Sequence, residues 1–439
     1  MSDYNKNTSL IRQLFHGFTH IIILCFTAFY LISPALKPPR KPNILLIIVD
    51  TLRYDHLGYS GYERNTSPNI DEFSKECTVF NNAYSQSGWT YPSFASIYTS
   101  LHPKDHSIIR WENQLDTSFT TLVEVLKDDG YATYGYPSHL GLDIQSGMAQ
   151  GFDHYYRDVF EIEKPHARIT SPIIHDLITT DLKKVKEPFF MMAHYFDPHS
   201  VYVKHPEFDF GFNAIDLYDS EIAYTDSYLG KLLAELKRLG LYDDMVIVFM
   251  ADHGEEFEEH GMVLHMQLFN EVLKIPLLIK TPDSNKGIVN KNVDQIDIAP
   301  TILSLAGVEV PGQFKGRNLM NPELIRKPVF AERGSEQGRI FHRTIIDENY
   351  KMYNIILGRK FEPNPTSLYK VDTDFLFNLK TDPNEVYNIL LNKENPDTLS
   401  KHLDNLFVDF YSDSISTKSS TMELDEETIE KLKGLGYIE

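Results

Sequence analysis

Residues 43–50 read NILLIIVD, an unbroken apolar run of strand length that ends in an acid. A second run, MVIVFMA at 245–251, ends in the same way, in Asp252 and His253. Such runs are typical of parallel strands that are buried on both faces. We therefore predict an α/β fold with a mostly parallel central sheet flanked by helices. Its strands should release polar side chains at their carboxyl ends, where open sheets place their ligands.

The stretch SGWTYPSFAS at 87–96 predicts a loop that delivers one hydroxyl to the start of a helix. Pro92 suits the first helical position, so Thr90 should lie at the positive end of the helix, where unpaired N–H groups and the helix dipole favour an anion. This is a suitable place for an oxygen nucleophile that attacks a phosphate or sulfate ester. Alternatively, Thr90 only caps the helix, as Ser and Thr often do.

The strand ends supply a candidate metal site. Asp50, Thr90, Asp252 and His253 offer three oxygens and one nitrogen to a divalent cation. An isolated Asp-His pair in a loop is more often solvated than ligating. Its position at a strand end, opposite a second strand-end acid, favours a metal site.

Further motifs follow these in a fixed order along the chain. They are PNIL and VDTLR within 42–53, GYSGY at 58–62, SPNID at 67–71, TYPS at 90–93, GFD at 151–153, HYFDPH at 194–199, ADHGE at 251–255, VDQIDIAPT at 293–301 and FNLKTDPNE at 377–385. In this joint order the chain resembles the sulfatase family, within the alkaline phosphatase superfamily. The resemblance covers nearly everything after the amino-terminal apolar segment.

The chain departs from the family pattern at residues that matter for the reaction. Sulfatases carry Cys or Ser at the position of Thr90, and that residue is oxidised to formylglycine. Phe94 stands where the motif has Arg, Thr51 replaces the second of two paired acids, and no Lys accompanies His139. Formylglycine chemistry is therefore not expected. Thr90 followed later by an Asp-His pair is similar to the metal-dependent phosphotransferases and phosphodiesterases of the superfamily, whose threonine forms a covalent phosphoryl intermediate.

The resemblance also implies a cofactor and further site residues. One divalent metal ion is expected, and the imidazole of His253 favours Zn²⁺ or Mn²⁺ over the alternatives Ca²⁺ and Mg²⁺. The implied catalytic residues are Thr90, His194, His265 and Arg53, and the implied substrate-binding residues are His194, His199 and His260. Alternatively, His199 is a turn residue, one of His260 and His265 is structural or solvated, and Arg53 forms a surface ion pair.

The length of the chain, 439 residues, and the changes in residue pattern along it predict three segments. Residues 1–41 would be a signal peptide or signal anchor with a linker, because 18–36 are almost wholly apolar. Residues 42–348 would be the catalytic domain. Residues 349–439 would be a small antiparallel subdomain with a helix at its end. We expect the enzyme to be extracytoplasmic, held in the membrane by its amino-terminal segment, or secreted if that segment is cleaved.

Net charge and cysteine content limit which partners and which disulfides can be expected for this protein. The formal net charge of −20 argues against nucleic acid and polyanionic glycans as favoured partners. We expect a small-molecule, lipid or glycan ester as substrate and no obligate protein partner. The two cysteines, Cys25 and Cys77, provide no disulfide framework.

Three functions stay open at this point. The first is an exported hydrolase or transferase that uses Thr90 on phosphate esters. The second is a sulfuric ester hydrolase that works without formylglycine. The third is a catalytically degenerate binding or scaffold protein, although retention of all four candidate metal ligands argues against it.

Overall fold

The two apolar runs at 43–49 and 245–251 lie side by side as parallel strands in the middle of a large sheet. The structure, a computed structural model, describes residues 40–157, 169–283, 285–334, 340–357, 373–391, 397–412, 420–422, 426 and 429–430. Residues 42–439 form one compact unit.

The strands of the described residues are β1 (Asn43–Val49), β2 (Thr78–Phe80), β3 (Ala83–Tyr84), β4 (Asn113–Gln114), β5 (Ala132–Tyr136), β6 (His154–Tyr155), β7 (Phe189–Tyr195), β8 (Met245–Ala251), β9 (Glu256–Phe257), β10 (Val263–Leu264), β11 (Lys274–Ile275), β12 (Leu277–Lys280), β13 (Gly287–Val289), β14 (Val293–Asp294), β15 (Val329–Gly334), β16 (Ile340–Asp347), β17 (Tyr350–Leu357), β18 (Thr373–Asn378) and β19 (Ser420–Thr421).

The α-helices of the described residues are α1 (Pro68–Ser74), α2 (Thr90–Thr99), α3 (Pro103–His106), α4 (Leu122–Asp128), α5 (Ser171–Asp181), α6 (Ala214–Arg238), α7 (Asn270–Leu273), α8 (Ile298–Ala306) and α9 (Asp397–Ser412). Short 3₁₀ turns occupy Tyr54–His56, Gly58–Ser60, Leu140–Leu142, Ile144–Ser146, Gln295–Asp297 and Ile389–Leu391.

The central sheet has eight strands in the order β13-β2-β12-β8-β1-β7-β5-β6. Only β12 runs against the others, since it pairs antiparallel with both β8 and β2. Every residue of β1, β7 and β8 is buried, as expected when helices cover both faces of a parallel sheet. The predicted fold class, an α/β fold with a mostly parallel sheet, is confirmed.

Local capping explains where two helices begin. Thr121 and Glu124 form a capping box at the start of α4, and Asn213 and Asp216 form another at the start of α6. In each box a side chain satisfies backbone N–H groups of the first turn, which have no partner inside the helix.

A second sheet forms the carboxyl-terminal subdomain. Strands β15 to β18 follow one another in an antiparallel meander, and α9 packs on it through Leu403 and Phe407. The small antiparallel sheet was predicted, but it begins at Val329. The boundary expected at 349 falls in the turn between β16 and β17. Composition gives no sign that Val329 pairs with Ile346, so the sequence did not reveal the earlier start of the sheet. Helix α9 was not predicted.

Two predictions concern regions outside the described residues. The apolar segment 18–36 lies wholly outside them, and the terminal helix expected over 424–437 lies almost wholly outside them. Among the residues that the structure describes, no helix has the length and apolar character needed to cross a membrane.

Candidate active site

Three neighbouring strands bring polar side chains together at one edge of the central sheet. Asp50 directly follows β1, Asp252 and His253 directly follow β8, and His194 lies near the end of β7. Because β1 pairs in parallel with both β7 and β8, these residues emerge at the same level of the sheet. All four have no solvent exposure.

Thr90 is the first residue of α2. The extended backbone of Trp89, with φ of −159° and ψ of 157°, turns the chain into the helix. The helix starts earlier than predicted, so Pro92 is its third residue and not its first. Proline is tolerated there because the first four N–H groups of a helix have no partner within it. The Thr90 side chain is therefore fixed at the amino end of the helix, where it is buried.

The five side chains converge on a small volume. Thr90 Oγ1 donates to Asp50 Oδ2 at 3.3 Å and lies 3.4 Å from His253 Nε2. His253 Nε2 lies 3.5 Å from Asp252 Oδ2, and His194 Nε2 lies 3.4 Å from Asp50 Oδ2. The sequence placed His194 among the substrate groups, and the structure places it against the candidate metal ligands.

Hydrogen bonds assign the proton of both imidazoles. His253 Nδ1 lies 2.9 Å from the carbonyl oxygen of Gly254, which can only accept, so Nδ1 carries the proton. Ser138 Oγ donates to the carbonyl oxygen of His194, so it accepts from His194 Nδ1 at 2.9 Å. A ring that carries only this proton has its lone pair on Nε2, and both Nε2 atoms face the carboxylates.

A divalent cation fits this donor set. The atoms Asp50 Oδ1, Asp252 Oδ2 and His194 Nε2 are buried without a hydrogen-bond partner among the described residues. Asp50, His194 and Asp252 each offer one ligand atom, and these atoms lie within 4.8 Å of one another. Buried lone pairs and charges that face one another are unfavourable unless a cation lies between them. Carboxylate, imidazole and hydroxyl donors suit Zn²⁺ or Mn²⁺.

The two carboxyl groups have opposite pKa shifts. Burial alone would raise the pKa of Asp50, but its contact with His194 and the positive charges that His199, His194 and His253 carry when protonated lower it below its ordinary range. Burial, reinforced by the negative charge of Asp50, raises the pKa of Asp252. Two carboxylates this close cannot both ionise easily without a compensating positive charge.

Two further histidines extend the site outward. The ring of His265 lies 4.6 Å from that of His253, and the ring of His199 lies 5.4 Å from that of His265. Phe196 stacks on His199 at 4.4 Å. His265 Nδ1 is 3.3 Å from Glu255 Oε1, and burial raises the pKa of Glu255 well above its ordinary value. The raised pKa favours the protonated carboxyl group, which is able to donate to His265.

The side chain of His260 makes its contacts with residues outside the cluster. Its Nδ1 pairs with Glu271 Oε1 at 2.5 Å, its Nε2 faces the carbonyl oxygen of Glu385 at 3.3 Å, and its ring stacks on Phe269 at 3.6 Å. These contacts join the catalytic part of the chain to the carboxyl-terminal sheet. Of the two histidines between which the sequence could not choose, His265 is the one beside the cluster.

The guanidinium group of Arg53 forms ion pairs with two acidic side chains. Its Nε and Nη2 donate to the two carboxylate oxygens of Asp55 at 2.9 and 2.8 Å, and its Nη1 contacts Glu259 and the carbonyl oxygen of Glu255. The guanidinium group is buried in these contacts. The structure therefore pairs Arg53 with acids, as the alternative expected, but in a buried position and not on the surface. These contacts hold Arg53 with Asp55 and Glu259 and not with Thr90.

Sequence reasoning missed a residue that connects the two halves of the cluster. Gln295 Nε2 donates to the carbonyl oxygen of Asp252 at 2.5 Å, and its Oε1 accepts from Ser85 Oγ at 3.0 Å. Gln295 thus joins the end of β8 to the loop that leads into α2. Its place in the motif at 293–301 was the available signal.

Phe94 occupies the place where an arginine is expected. Its ring meets that of His194 edge to face, with 5.0 Å between centroids. This apolar contact fixes the imidazole and adds no charge to the site.

The family follows from the sequence profile that matches residues 42–308, which is described as Sulfatase. The chain belongs to the sulfatase family. A second profile, described as N-sulphoglucosamine sulphohydrolase, C-terminal, matches residues 258–411. The protein is therefore a sulfatase-family ester hydrolase.

Curated relatives carry sulfatase names. An ulvan-active sulfatase of Formosa agariphila is 28% identical over 339 residues, which are 66% of this chain and 66% of that protein. A choline-sulfatase of Rhizobium meliloti is 22% identical over 442 residues, 81% of this chain and 84% of that protein. The chain thus spans about two thirds of the length of the first of these sulfatases.

Solved structures share the fold at low identity. One, in complex with its substrate D-glucosamine-2-N,6-O-disulfate, has a TM-score of 0.72 at 19% identity, and the match covers 85% of this chain and 99% of that chain. A phosphonate monoester hydrolase of Agrobacterium radiobacter has a TM-score of 0.68 at 18% identity, with coverage of 88% and 98%.

Proposed function

We propose that this sulfatase-family protein is a metal-dependent hydrolase or transferase of phosphate esters that uses Thr90 as its nucleophile. The observation that carries the proposal is the Thr90 hydroxyl, 3.3 Å from Asp50 Oδ2 and 3.4 Å from His253 Nε2 at the start of α2. Helix N–H groups there stabilise negative charge on the oxygens of an ester. No other hydroxyl among the described residues makes both of these contacts.

Asp50, Asp252, His253 and Thr90 would hold the metal ion, with His194 as a further candidate ligand. When bound, a divalent cation supplies positive charge that lowers the pKa of the Thr90 hydroxyl and stabilises charge on the ester. Zn²⁺ or Mn²⁺ is favoured by the imidazole donors, with Ca²⁺ and Mg²⁺ as alternatives.

The reaction proceeds in two displacements at phosphorus. Thr90 Oγ, having lost its proton to water, forms a bond to phosphorus as the bond to the leaving oxygen breaks. His265 gives a proton to that oxygen and regains one from Glu255, which faces it at 3.3 Å. Water or an acceptor alcohol then attacks phosphorus as it gives a proton to His265, which returns one to Glu255. The bond to Thr90 Oγ breaks, and that oxygen takes a proton back from water. His199 lies beside His265 and binds the transferred group.

Sulfate esters form the second candidate class, favoured by the names of the curated relatives. Thr90 carries a hydroxyl and not the aldehyde hydrate of formylglycine, and Phe94 stands where a cationic arginine is expected. A phosphate ester is therefore preferred to a sulfate ester. A scaffold without activity is disfavoured, because a fully buried set of facing carboxylates and lone pairs has no stabilising role without a cation.

The test is a parallel screen of the purified protein with aryl phosphate, phosphodiester, phosphonate and sulfate esters across Zn²⁺, Mn²⁺, Mg²⁺ and Ca²⁺. Thr90→Ala should lower turnover of the preferred ester by several orders of magnitude, while Thr90→Ser, which keeps the hydroxyl, retains measurable activity. Thr99→Ser, at the other end of the same helix, is the matched control. A fully active Thr90→Ala protein would show that a metal-activated water attacks the ester in place of Thr90. Turnover of none of the esters would favour the scaffold.

We also propose that the catalytic unit lies outside the cytoplasm, on the strength of the apolar segment 18–36 that precedes it. The protein would remain in the membrane, or be secreted if this segment is cleaved. Protease digestion of intact and lysed cells tests this location. Digestion of the catalytic unit only after lysis would contradict it.

A further inference from the structure

A cavity of about 250 Å³ lies where the catalytic part of the chain meets the carboxyl-terminal sheet. Tyr54, Tyr84 and Lys274 line it from the catalytic part, while Asn349 in the β16–β17 turn and the segment after β18 line it from the other part. Within the described residues, none of the side chains that converge on Thr90 lines this cavity. Its volume is enough for one small organic molecule in place of several waters.

Lys274 brings a positive charge to the cavity without a matching acid. Its Nζ lies 4.5 Å from the centre of the Tyr54 ring, and among the residues that the structure describes it forms neither a hydrogen bond nor an ion pair. Burial lowers the pKa of Lys274, and the negative charge of Asp55 opposes this shift only in part. A partly buried ammonium group without a counterion is unfavourable. An anionic group in the cavity would remove this cost.

Four acids also line the cavity, but each of them has a basic partner. The pairs are Asp55 and Glu259 with Arg53, Glu271 with His260, and Glu348 with Arg326. In the described part of the wall, Lys274 is therefore the charge that a ligand would compensate. One ammonium group balances one negative charge, so a carboxylate is favoured over a doubly charged phosphate.

Three further side chains of the wall can form hydrogen bonds with a ligand. Tyr84 is only 3% exposed, yet its hydroxyl has no hydrogen-bond partner within the described residues. Asn82 and Asn292 each donate from Nδ2 to a backbone carbonyl oxygen, at 2.8 and 3.0 Å, so the amide oxygen of each stays available as an acceptor. Amide oxygens accept from hydroxyl groups, which favours a ligand that carries several of them.

We propose that this cavity binds a small carboxylate with several hydroxyl groups, of the size of a cyclic hydroxy acid or an acidic monosaccharide. Lys274 holds the carboxylate, and Asn82, Asn292 and Tyr84 hold the hydroxyl groups. The bound molecule contacts both the catalytic part of the chain and the carboxyl-terminal sheet, so it stabilises the folded protein. The site is independent of the reaction proposed at Thr90.

Binding of a chosen probe tests this site without any measurement of turnover. The full chain is titrated by calorimetry with shikimate, with its uncharged methyl ester, and with cyclohex-1-enecarboxylate, which keeps the ring and the carboxylate but has no hydroxyl groups. Shikimate should bind at least about tenfold more tightly than either analogue. Lys274→Gln should abolish the preference for the acid over its ester. Tyr84→Phe removes one hydroxyl and should weaken shikimate binding by about two- to tenfold.

Lys231→Gln is the matched control, because the Nζ of this exposed lysine also lies over a tyrosine ring, 3.6 Å from the centre of Tyr228, and outside the cavity. It removes the same charge and should leave the affinity for shikimate unchanged. Thermal unfolding of each variant without ligand checks that the fold is kept. Absence of shikimate binding, equal affinities for the acid and its ester, or full shikimate affinity in Lys274→Gln would overturn the proposal. Equally tight binding of cyclohex-1-enecarboxylate would overturn the assignment of a hydroxylated ligand.

Discussion

His194 Nε2 faces Asp50 Oδ2 at 3.4 Å, although the proton of this imidazole is held on the opposite nitrogen by Ser138. A lone pair and a carboxylate therefore face each other in a buried site. A metal ion between them, or a second proton on His194, relieves the repulsion. This relationship makes Ser138 the residue that orients a candidate ligand.

Ser138→Ala should therefore weaken metal binding. Without the hydroxyl, His194 can turn or adopt the other tautomer, so we expect about a 10- to 100-fold loss of metal affinity with the fold retained. Competition with a chelator, followed by metal analysis of the protein, measures the change.

The control for this variant is Ser96→Ala. Ser96 Oγ also makes a buried hydrogen bond to a histidine, 3.0 Å from His106 Nε2, but this pair lies away from the cluster. The same kind of bond is lost without an expected change in metal affinity. If the two serine variants bind metal equally well, Ser138 does not orient a ligand.

Gln295→Ala should disconnect the end of β8 from the loop before Thr90. The loss leaves the buried carbonyl oxygen of Asp252 without the donor that Gln295 Nε2 supplies, so the free energy of unfolding should fall by about 1–3 kcal/mol. Turnover should fall with little change in KM, since the nucleophile is misplaced relative to the metal ligands. Urea unfolding and steady-state kinetics give the two numbers.

Gln313→Ala serves as the comparison, because this exposed glutamine makes only a 3.5 Å contact to Thr120. It should leave stability and turnover unchanged. A Gln295→Ala protein with lowered stability but normal turnover would show that the bridge is structural only.

Strand patterns explain why much of the site was predictable. Asp50 and Asp252 each follow an apolar run, and parallel strands must release such residues at one edge of the sheet. The order of motifs then identified Thr90. These inferences need only local sequence and the general geometry of parallel sheets.

The remainder depends on contacts that no local pattern reveals. Arg53 and Asp55 are two residues apart, and whether they pair depends on how the turn folds. His260 and His265 share one hairpin, and only its packing decides which ring meets His253.

Glu332→Gln should change how stability depends on pH. Burial raises the pKa of Glu332 from 4.5 to about 7. Between these values the folded protein keeps a proton that the unfolded chain has lost, so stability falls as pH rises through this window and the full penalty is present above about 7. In the parent, Glu332 accepts from the backbone N–H of Lys104 and from the hydroxyl of Tyr411. The side-chain amide of the variant would still accept from Lys104 through its oxygen, and its NH₂ group would donate to the Tyr411 hydroxyl, which would then act as the acceptor.

The variant should therefore be more stable than the parent at pH 8, by an order of about 3 kcal/mol, and should not be more stable at pH 4. Denaturant unfolding across this range measures the difference. Glu323→Gln, on the exposed surface, should follow the parent at every pH. A Glu332→Gln curve parallel to the parent's would show that the pKa of Glu332 does not change on folding.

Mass spectrometry of the acid-quenched enzyme, taken during turnover of its preferred phosphate ester, tests the central claim most directly. We predict a mass gain of one phosphoryl group on the peptide that contains Thr90, absent from Thr90→Ala and present again in Thr90→Ser. An unmodified Thr90 peptide in an enzyme that is turning over, together with full activity of Thr90→Ala, would contradict the account.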